Sequence, residues 1–372
     1  MGNSMKWCQS CVLPDTRPNL ILDKDGICNA CRNHQSKKII DWNQRQEQLK
    51  KVVEDAKSRS SGYDCLIPVS GGKDSTWQTI QCLELGLKPL AVTWRPPGRT
   101  PIGQRNLNNL IQLGVDHIDY SINPDVEARF MLKAFEQLGS TAIPMHLALF
   151  NIPLTIACRF RIPLVIWGEN SAFEYGNKRE ADTGFTLDND WMRTYGVTHG
   201  TKAIDWVGDS FTRADLTPYF GPDDQELQQA GVRAIFLGYY LQWDPETSKA
   251  VAVQHGFESD TNGPRTGYFN YADIDDDFIS LHHWLKWYKF GFTRTYDNLS
   301  LEIRNERMTR EQALEIIRQL GDETPHGDIE TFAQFTGVSK DYLMSVAEKF
   351  RNLSIWQKNE NGVWYLPNFI IN

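Results

Sequence analysis

From residue 63 onward, short apolar runs alternate with longer stretches in which apolar residues recur at helical spacing, the pattern of a parallel sheet covered by helices. The runs at 64–69, 89–94, 117–120, 164–167 and 234–239 are four to six residues long and read as its strands. Between the first two, residues 75–85 read as a helix closed by Gly86, since glycine takes the left-handed conformation at a helix end without steric cost. Residues 64–94 thus make a βαβ unit, and the fold class is α/β with a parallel, doubly wound sheet. Later in the chain, Thr309 and Gln312 form a capping box ahead of a stripe of Ala313, Leu314, Ile316, Ile317 and Leu320, with Gly321 ending the helix. The pattern divides the chain into a loop-rich, cysteine-bearing module at 1–35, a polar helical connector at 36–60, the sheet domain at 61–240, and a C-terminal region at 241–372. That last region opens with Trp-, Tyr- and Asp-rich sequence and closes with helices.

The first strand runs directly into Ser70-Gly71-Gly72-Lys73-Asp74-Ser75, which opens a helix. Two glycines let the backbone turn sharply and bring N–H groups close to an anion, and the helix start adds open donors and partial positive charge. Ser70 and Ser75 add hydroxyls, and Lys73 adds a mobile cation. The bland alternative is a Gly-Gly turn capped by Ser or Asp. The string is not a Walker A loop, because a single residue separates the glycine pair from Asp74.

Cysteine usage changes the picture at the N-terminus. Cys8-x-x-Cys11 and Cys28-x-x-Cys31 are two knuckles 16 residues apart, close to the four-cysteine zinc-ribbon spacing. Four thiolates close a tetrahedral shell, so the expected Zn²⁺ is structural and the short segment folds around it; a redox dithiol and an iron–sulfur cluster are the competing readings. Cys65, Cys82 and Cys158 are isolated and read as small buried hydrophobes.

Across the 372 residues, 41% are apolar and 12% aromatic, which excludes a disordered chain. The formal charge of −8, from 39 Lys+Arg against 47 Asp+Glu, argues against a surface built to neutralise nucleic acid. No apolar run is read as approaching the roughly 20 residues of a membrane span, and residues 1–11 lack the apolar core of a signal peptide, so the expected compartment is the cytosol.

Two further groups carry candidate chemistry. Trp167-Gly168-Glu169-Asn170 follows the fourth strand, and ligands of open α/β sheets bind beyond the carboxyl ends of strands, so Glu169 is placed to hold Mg²⁺ or orient a substrate. Between residues 268 and 307, His282, His283, Lys286 and Arg294 stand among aromatics and aspartates in a density that suits a polar substrate pocket. His282 and His283 are adjacent, so they cannot share a helix face as i, i+4 ligands do.

The six-residue loop after a strand resembles the pyrophosphate-binding loop of PP-loop ATP pyrophosphatases, of the adenine nucleotide alpha hydrolase-like fold. The resemblance implies cleavage of ATP between the α- and β-phosphates. Ser70, Gly71, Gly72, Lys73, Asp74 and Ser75 would hold the phosphates, with Lys73 and Mg²⁺ stabilising charge as pyrophosphate leaves. Asp74 would act on Mg²⁺ or cap the helix. By position, Val92 and Thr93 at the end of the second strand would lie near adenosine.

A narrower resemblance rests on the four-cysteine knob, the loop, Trp167-Gly168-Glu169-Asn170, Gly238-Tyr239 with Trp243-Asp244, and His282-His283-Trp284-Leu285-Lys286-Trp287-x-x-Phe290-Gly291-Phe292. Together these look like the N-acetyl sugar amidotransferases of bacterial surface-polysaccharide pathways, over nearly the whole chain. The family implies conversion of a sugar acetamido group to an acetamidino group on a nucleotide-linked or sialic-like sugar, with His282, His283, Lys286 and Arg294 as sugar contacts. It also implies ammonia from a glutamine amidotransferase partner and a second, cyclase-like subunit. No cysteine here sits in an obvious nucleophile turn, in line with ammonia made elsewhere. The competing class is a PP-loop tRNA thiolation enzyme, opposed by the acidic charge and by the lack of a further Cys pair after the loop. A non-catalytic zinc- and ATP-binding scaffold is a third reading.

Overall fold

The computed structural model describes residues 5–168, 187, 191–192, 194 and 196–371. Five parallel strands form the sheet: β1 Cys65–Pro68, β2 Pro89–Trp94, β3 Asp116–Tyr120, β4 Leu164–Trp167 and β5 Arg233–Phe236. Their order is β3-β2-β1-β4-β5. The chain therefore starts in the middle, winds outward through β2 and β3, and returns to place β4 on the other side of β1. A crevice opens at that reversal, beyond the carboxyl end of β1.

Strand side chains alternate between the two faces. Leu66, Leu90, Val92, Val165, Trp167, Ala234 and Phe236 point to a layer containing α5 (Pro124–Leu138) and α6 (Ala142–Phe160). Cys65, Ile67, Ala91, Leu164, Ile166 and Ile235 point to the opposite layer, against α2 (Trp42–Arg59), α3 (Lys73–Glu84) and α4 (Pro101–Ile111). Both faces being covered, the sheet is doubly wound, as the sequence pattern requires. The polar segment before the sheet is α1 (Asn29–Lys37) followed by α2, whose Leu49, Val52, Val53 and Ala56 are buried in the second layer.

One strand is shorter than its apolar run. The expected strand 234–239 stops at Phe236, paired with Trp167 at the end of β4; past it the chain coils, with Gly238 N donating to Gly168 O at 3.0 Å. Following α7 (Asp224–Ala230) and β5, residues Leu237–Tyr240 make a single helical turn, α8, that buries Leu237 and Tyr240 in the layer with α2. Arg45 of α2 donates to the carbonyl of Tyr239 at 2.7 Å and lies 3.7 Å over its ring. The helix after β1 also begins at Lys73 rather than residue 75, with Gly72 as its N-cap.

The 19-residue α6 is long and apolar enough by composition to cross a membrane, a run the sequence reading passes over. Here 67% of its most apolar window is buried, and it packs on β1, β2, β4 and α5.

The C-terminal region comprises α9 (Pro245–Gln254), α10 (Ile279–Phe290), α11 (Arg294–Arg304), α12 (Arg310–Gln319), α13 (His326–Thr336) and α14 (Lys340–Lys349). The capping box of Thr309 and Gln312 is formed, and Ala313 and Ile317 are the fully buried members of the stripe on α12. Phe278, Leu281, Leu285, Phe332 and Leu343 pack on Met131 and Phe135 of α5. The N-terminal cysteine knob packs on Phe292, Tyr296, Leu299, Ala313 and Ile317. Between α9 and α10, residues 274–277 are tied to the turn after β2: Thr100 Oγ1 donates to Ile274 O at 2.6 Å, Thr100 N to Asp275 O at 3.1 Å, and Asp277 N to Gly98 O at 2.8 Å. This seam carries the C-terminal region over the edge of the sheet where β1 ends.

Candidate functional site

Gly71 has φ +92°, and a Cβ there would lie 2.5 Å from the backbone nitrogen of Leu107, so only glycine fits. The loop is self-supporting. Gly71 N donates to Ser75 Oγ at 3.2 Å, Ser75 Oγ to Gly72 O at 3.0 Å, and Gly72 N to Ser70 Oγ at 3.2 Å. Gly72, the N-cap of the 12-residue α3, has no side chain to accept from the first turn, and that turn faces a cavity. Bare first-turn N–H groups and the helix dipole suit an anion. Ser70 and Ser75 brace the turn itself, while the N-cap position of the helix carries no side-chain cap.

Lys73 is buried; its Nζ lies 2.6 Å from Asp74 Oδ2, and 5.4 and 5.8 Å from the ring centres of Trp243 and Tyr271. Asp74 Oδ1 accepts from Trp243 Nε1 at 2.9 Å. The carboxylate thus stands at the cavity beside the loop, where it can hold a divalent cation, and Lys73 is fixed between an acid and two aromatic faces.

This cavity, about 350 Å³, is lined on one side by Ser70, Gly72, Lys73, Asp74 and Ser75, and on the other by Arg17, Asp273, Arg294 and Asn298. Asp273 Oδ2 accepts from Arg294 Nε at 2.8 Å and lies 3.6 Å from His283 Nε2. Burial would raise the pKa of Asp273, yet the Arg294 guanidinium beside it outweighs this and holds the carboxyl well below the usual range. Burial, reinforced by Lys286, pushes His283 down to about 4, so its imidazole is neutral at pH 7. Asp297, 4% exposed, accepts from both Arg17 Nε and Lys286 Nζ at 2.9 Å. Against the cost of burial, Lys286 and Arg17 hold its pKa well below normal. The result is two carboxylate-bridged groups, Arg294–Asp273–His283 and Arg17–Asp297–Lys286, of which Arg294, Asp273 and Arg17 line the cavity across from the Ser70–Ser75 loop.

The sequence-derived candidates are distributed unevenly over this geometry. Ser70, Gly72, Lys73, Asp74, Ser75 and Arg294 line the cavity, Gly71 shapes its loop, and His283 and Lys286 stand one carboxylate behind the wall. His282 points elsewhere, its Nδ1 3.2 Å from Ser140 Oγ at the start of α6. Val92 is in the sheet core, and Thr93 Oγ1 donates to Val69 O at 2.8 Å and pairs with His117 Nε2; neither lines the loop cavity. Glu169 lies outside the described residues. Sequence reasoning missed Arg17, Asp297 and Asn298. Arg17 in particular gives no local signal, because its partners lie some 280 positions away.

The four knuckle sulfurs lie within 4.8 Å of one another and all four cysteines are buried. Cys11 Sγ and Cys28 Sγ are 3.8 Å apart, matching the edge of about 3.8 Å expected of a tetrahedron with metal–sulfur bonds of about 2.3 Å. Backbone N–H groups of Cys11 and Cys28 donate to Cys8 Sγ at 3.4 and 3.3 Å, and that of Cys31 to Cys28 Sγ at 3.4 Å. Donors aimed at sulfur favour thiolates over thiols, so the donor set fits a closed, soft-metal site.

Comparisons with known proteins bear on the C-terminal half of the cavity. Residues 265–369 match the family model described as LPS biosynthesis protein WbpG-like, C-terminal domain. That segment contains Asp273, His283, Lys286, Arg294 and Asp297. Among solved structures, the NMN synthetase of Francisella tularensis is similar over 75% of this chain and 92% of its own, at 14% identity and a TM-score of 0.35, too loose a likeness to specify more. No curated protein matches the chain.

Proposed function

We propose that this chain is an ATP-dependent, AMP-forming ligase of bacterial surface-polysaccharide synthesis that converts a sugar acetamido group to an acetamidino group. The observation that carries the reading is one cavity shared by two walls: a phosphate-type loop with a bare helix start, and side chains from the segment that matches the WbpG-like domain of LPS biosynthesis. An amide carbonyl is a poor electrophile. When its oxygen attacks the α-phosphate of ATP, the O–P bond forms, the bond to the β-phosphate breaks, and pyrophosphate leaves. Ammonia then adds to the imidate carbon, AMP departs with the former carbonyl oxygen, and a proton is lost.

In this scheme the N–H groups of the first turn of α3 and the Ser70 hydroxyl hold the leaving pyrophosphate, while the Gly72 N–H and the Ser75 hydroxyl brace the loop. Lys73 offsets its charge. Asp74 would hold a magnesium ion, which supplies further charge neutralisation on the phosphates. Arg294, fixed by Asp273, faces the loop from the sugar side, and His283 is kept neutral behind it. The sugar is N-acetylated and nucleotide-linked or sialic-like, ammonia comes from a partner glutaminase with a cyclase-like subunit, and the four cysteines hold structural zinc. The reaction is placed in the cytosol.

The test is AMP and pyrophosphate release from ATP with ammonium salt, against UDP- and CMP-linked N-acetylated sugars in parallel with bulk tRNA and a sulfur donor. Sugar-dependent AMP, with a product in which NH replaces one oxygen, is expected. AMP release with tRNA alone would assign the chain to thiolation instead. No turnover with any partner would favour a scaffold.

A further inference from the structure

The cysteine knob contributes directly to the cavity. Arg17 lies in the stretch between the two cysteine pairs, and that stretch is tied at both ends to the cluster. Cys8 N donates to Leu13 O at 2.9 Å, and Arg17 N to Pro14 O at 3.1 Å. On the returning side Asn29, next to Cys28, accepts from Ile21 N at 3.0 Å through Oδ1 and donates to Asn19 O at 3.0 Å through Nδ2. Thr16 Oγ1 donates to Phe290 O at 2.6 Å, fixing the tip against α10. From that tip the Arg17 side chain, 17% exposed, reaches Asp297 and lines the cavity opposite Lys73.

A segment this short has little core of its own, so the metal stands in for one. Without metal, the stretch that aims Arg17 loses its anchors at the cluster and keeps only the Thr16 contact at its tip, and Asp297 loses its Arg17 partner while keeping Lys286. The charge of the wall facing the phosphate loop then shifts one unit negative, which works against an anion between the two walls.

We propose that Arg17 is a positioning residue for the phosphate ligand, and that metal held by Cys8, Cys11, Cys28 and Cys31 sets its place, so that metal occupancy controls anion affinity at a loop on another part of the chain. The inference rests on the phosphate-loop reading above. It makes the knob part of the binding site as well as a folded unit beside it.

The experiment uses the full, metal-loaded chain and inorganic pyrophosphate as probe, with affinity by calorimetry and metal content by elemental analysis. Arg17→Ala is expected to keep its metal and its near-UV circular dichroism while binding pyrophosphate about tenfold more weakly, and Arg17→Lys to recover most of that loss. Stripping the metal from wild type should cost a similar factor, and stripping Arg17→Ala should add less than about twofold, as two steps along one route do. The inference is overturned if Arg17→Ala binds as wild type does, or if stripping weakens it as much as it weakens wild type. A wild-type chain that binds no pyrophosphate would instead sink the phosphate-loop reading, and this inference with it.

Discussion

The two walls of the cavity are built by opposite means. One is a run of six consecutive residues, Ser70–Ser75, shaped by a glycine at φ +92° and braced by hydrogen bonds within the loop. The other is drawn from separate stretches, the knob, the seam at 273–277 and α10–α11, and is held by buried ion pairs. A wall of backbone donors tolerates change in its neighbours and fails at one or two positions. A wall of bridged charges depends on every member, because removing one leaves another buried without its counterion.

Breaking the second wall should have the larger effect on stability. Asp297→Ala strands Arg17 and Lys286 beside each other, at an expected cost of about 3–5 kcal/mol in denaturant unfolding. A loss under about 1 kcal/mol would show that solvent reaches these groups. In the first wall, Lys73→Ala should lower pyrophosphate release by about 10²–10³ while the melting temperature stays within a few degrees. Unchanged turnover would reduce the loop to a turn.

Acid probes the second wall. An unfolded chain's histidine takes up a proton near pH 6.5, whereas folded His283 does so at about 4. Between these values the unfolded state binds more protons, so acidification should remove roughly 3 kcal/mol of stability. Asp273 and Asp297, with depressed folded values, add a further loss as the pH falls below about 4. Burial also holds His117, His146, His199 and His282 below the ordinary value, so His283→Gln should shrink the first step by its share and keep the second; an unaltered first step would mean that the other histidines carry it. The smallest effect is expected away from both walls. Thr93→Val removes the hydroxyl bonded to Val69 O at a cost of about 1 kcal/mol, with KM for ATP unchanged. A raised KM would return Thr93 to the adenosine site, where the family resemblance expects it.

Legibility in the sequence followed the same division. The loop could be read because its chemistry is contiguous and follows a buried apolar strand, and the sheet could be read because period-two alternation and helical spacing are local. Strand β5 was overextended because Leu237-Gly238-Tyr239-Tyr240 is as apolar as a strand. It ends where the chain coils into the turn Leu237–Tyr240, whose Leu237 and Tyr240 are buried in the layer with α2, a tertiary packing that no local pattern records. His282 and His283 could be told apart only as lying on different helix faces; which one meets Asp273 is decided by how α10 lies against the 273–277 seam. Arg17 was invisible because its role depends on the docking of the knob onto α11 and α12.

The glycine at the start of α3 has one more consequence. Most helices close their first turn with their own Ser, Thr, Asp or Asn, worth about 1 kcal/mol, and this one does not. On the proposed function, a bound pyrophosphate would complete that turn and become a temporary part of the scaffold. Heat resistance should then rise with occupancy, as the free-energy linkage between binding and folding dictates.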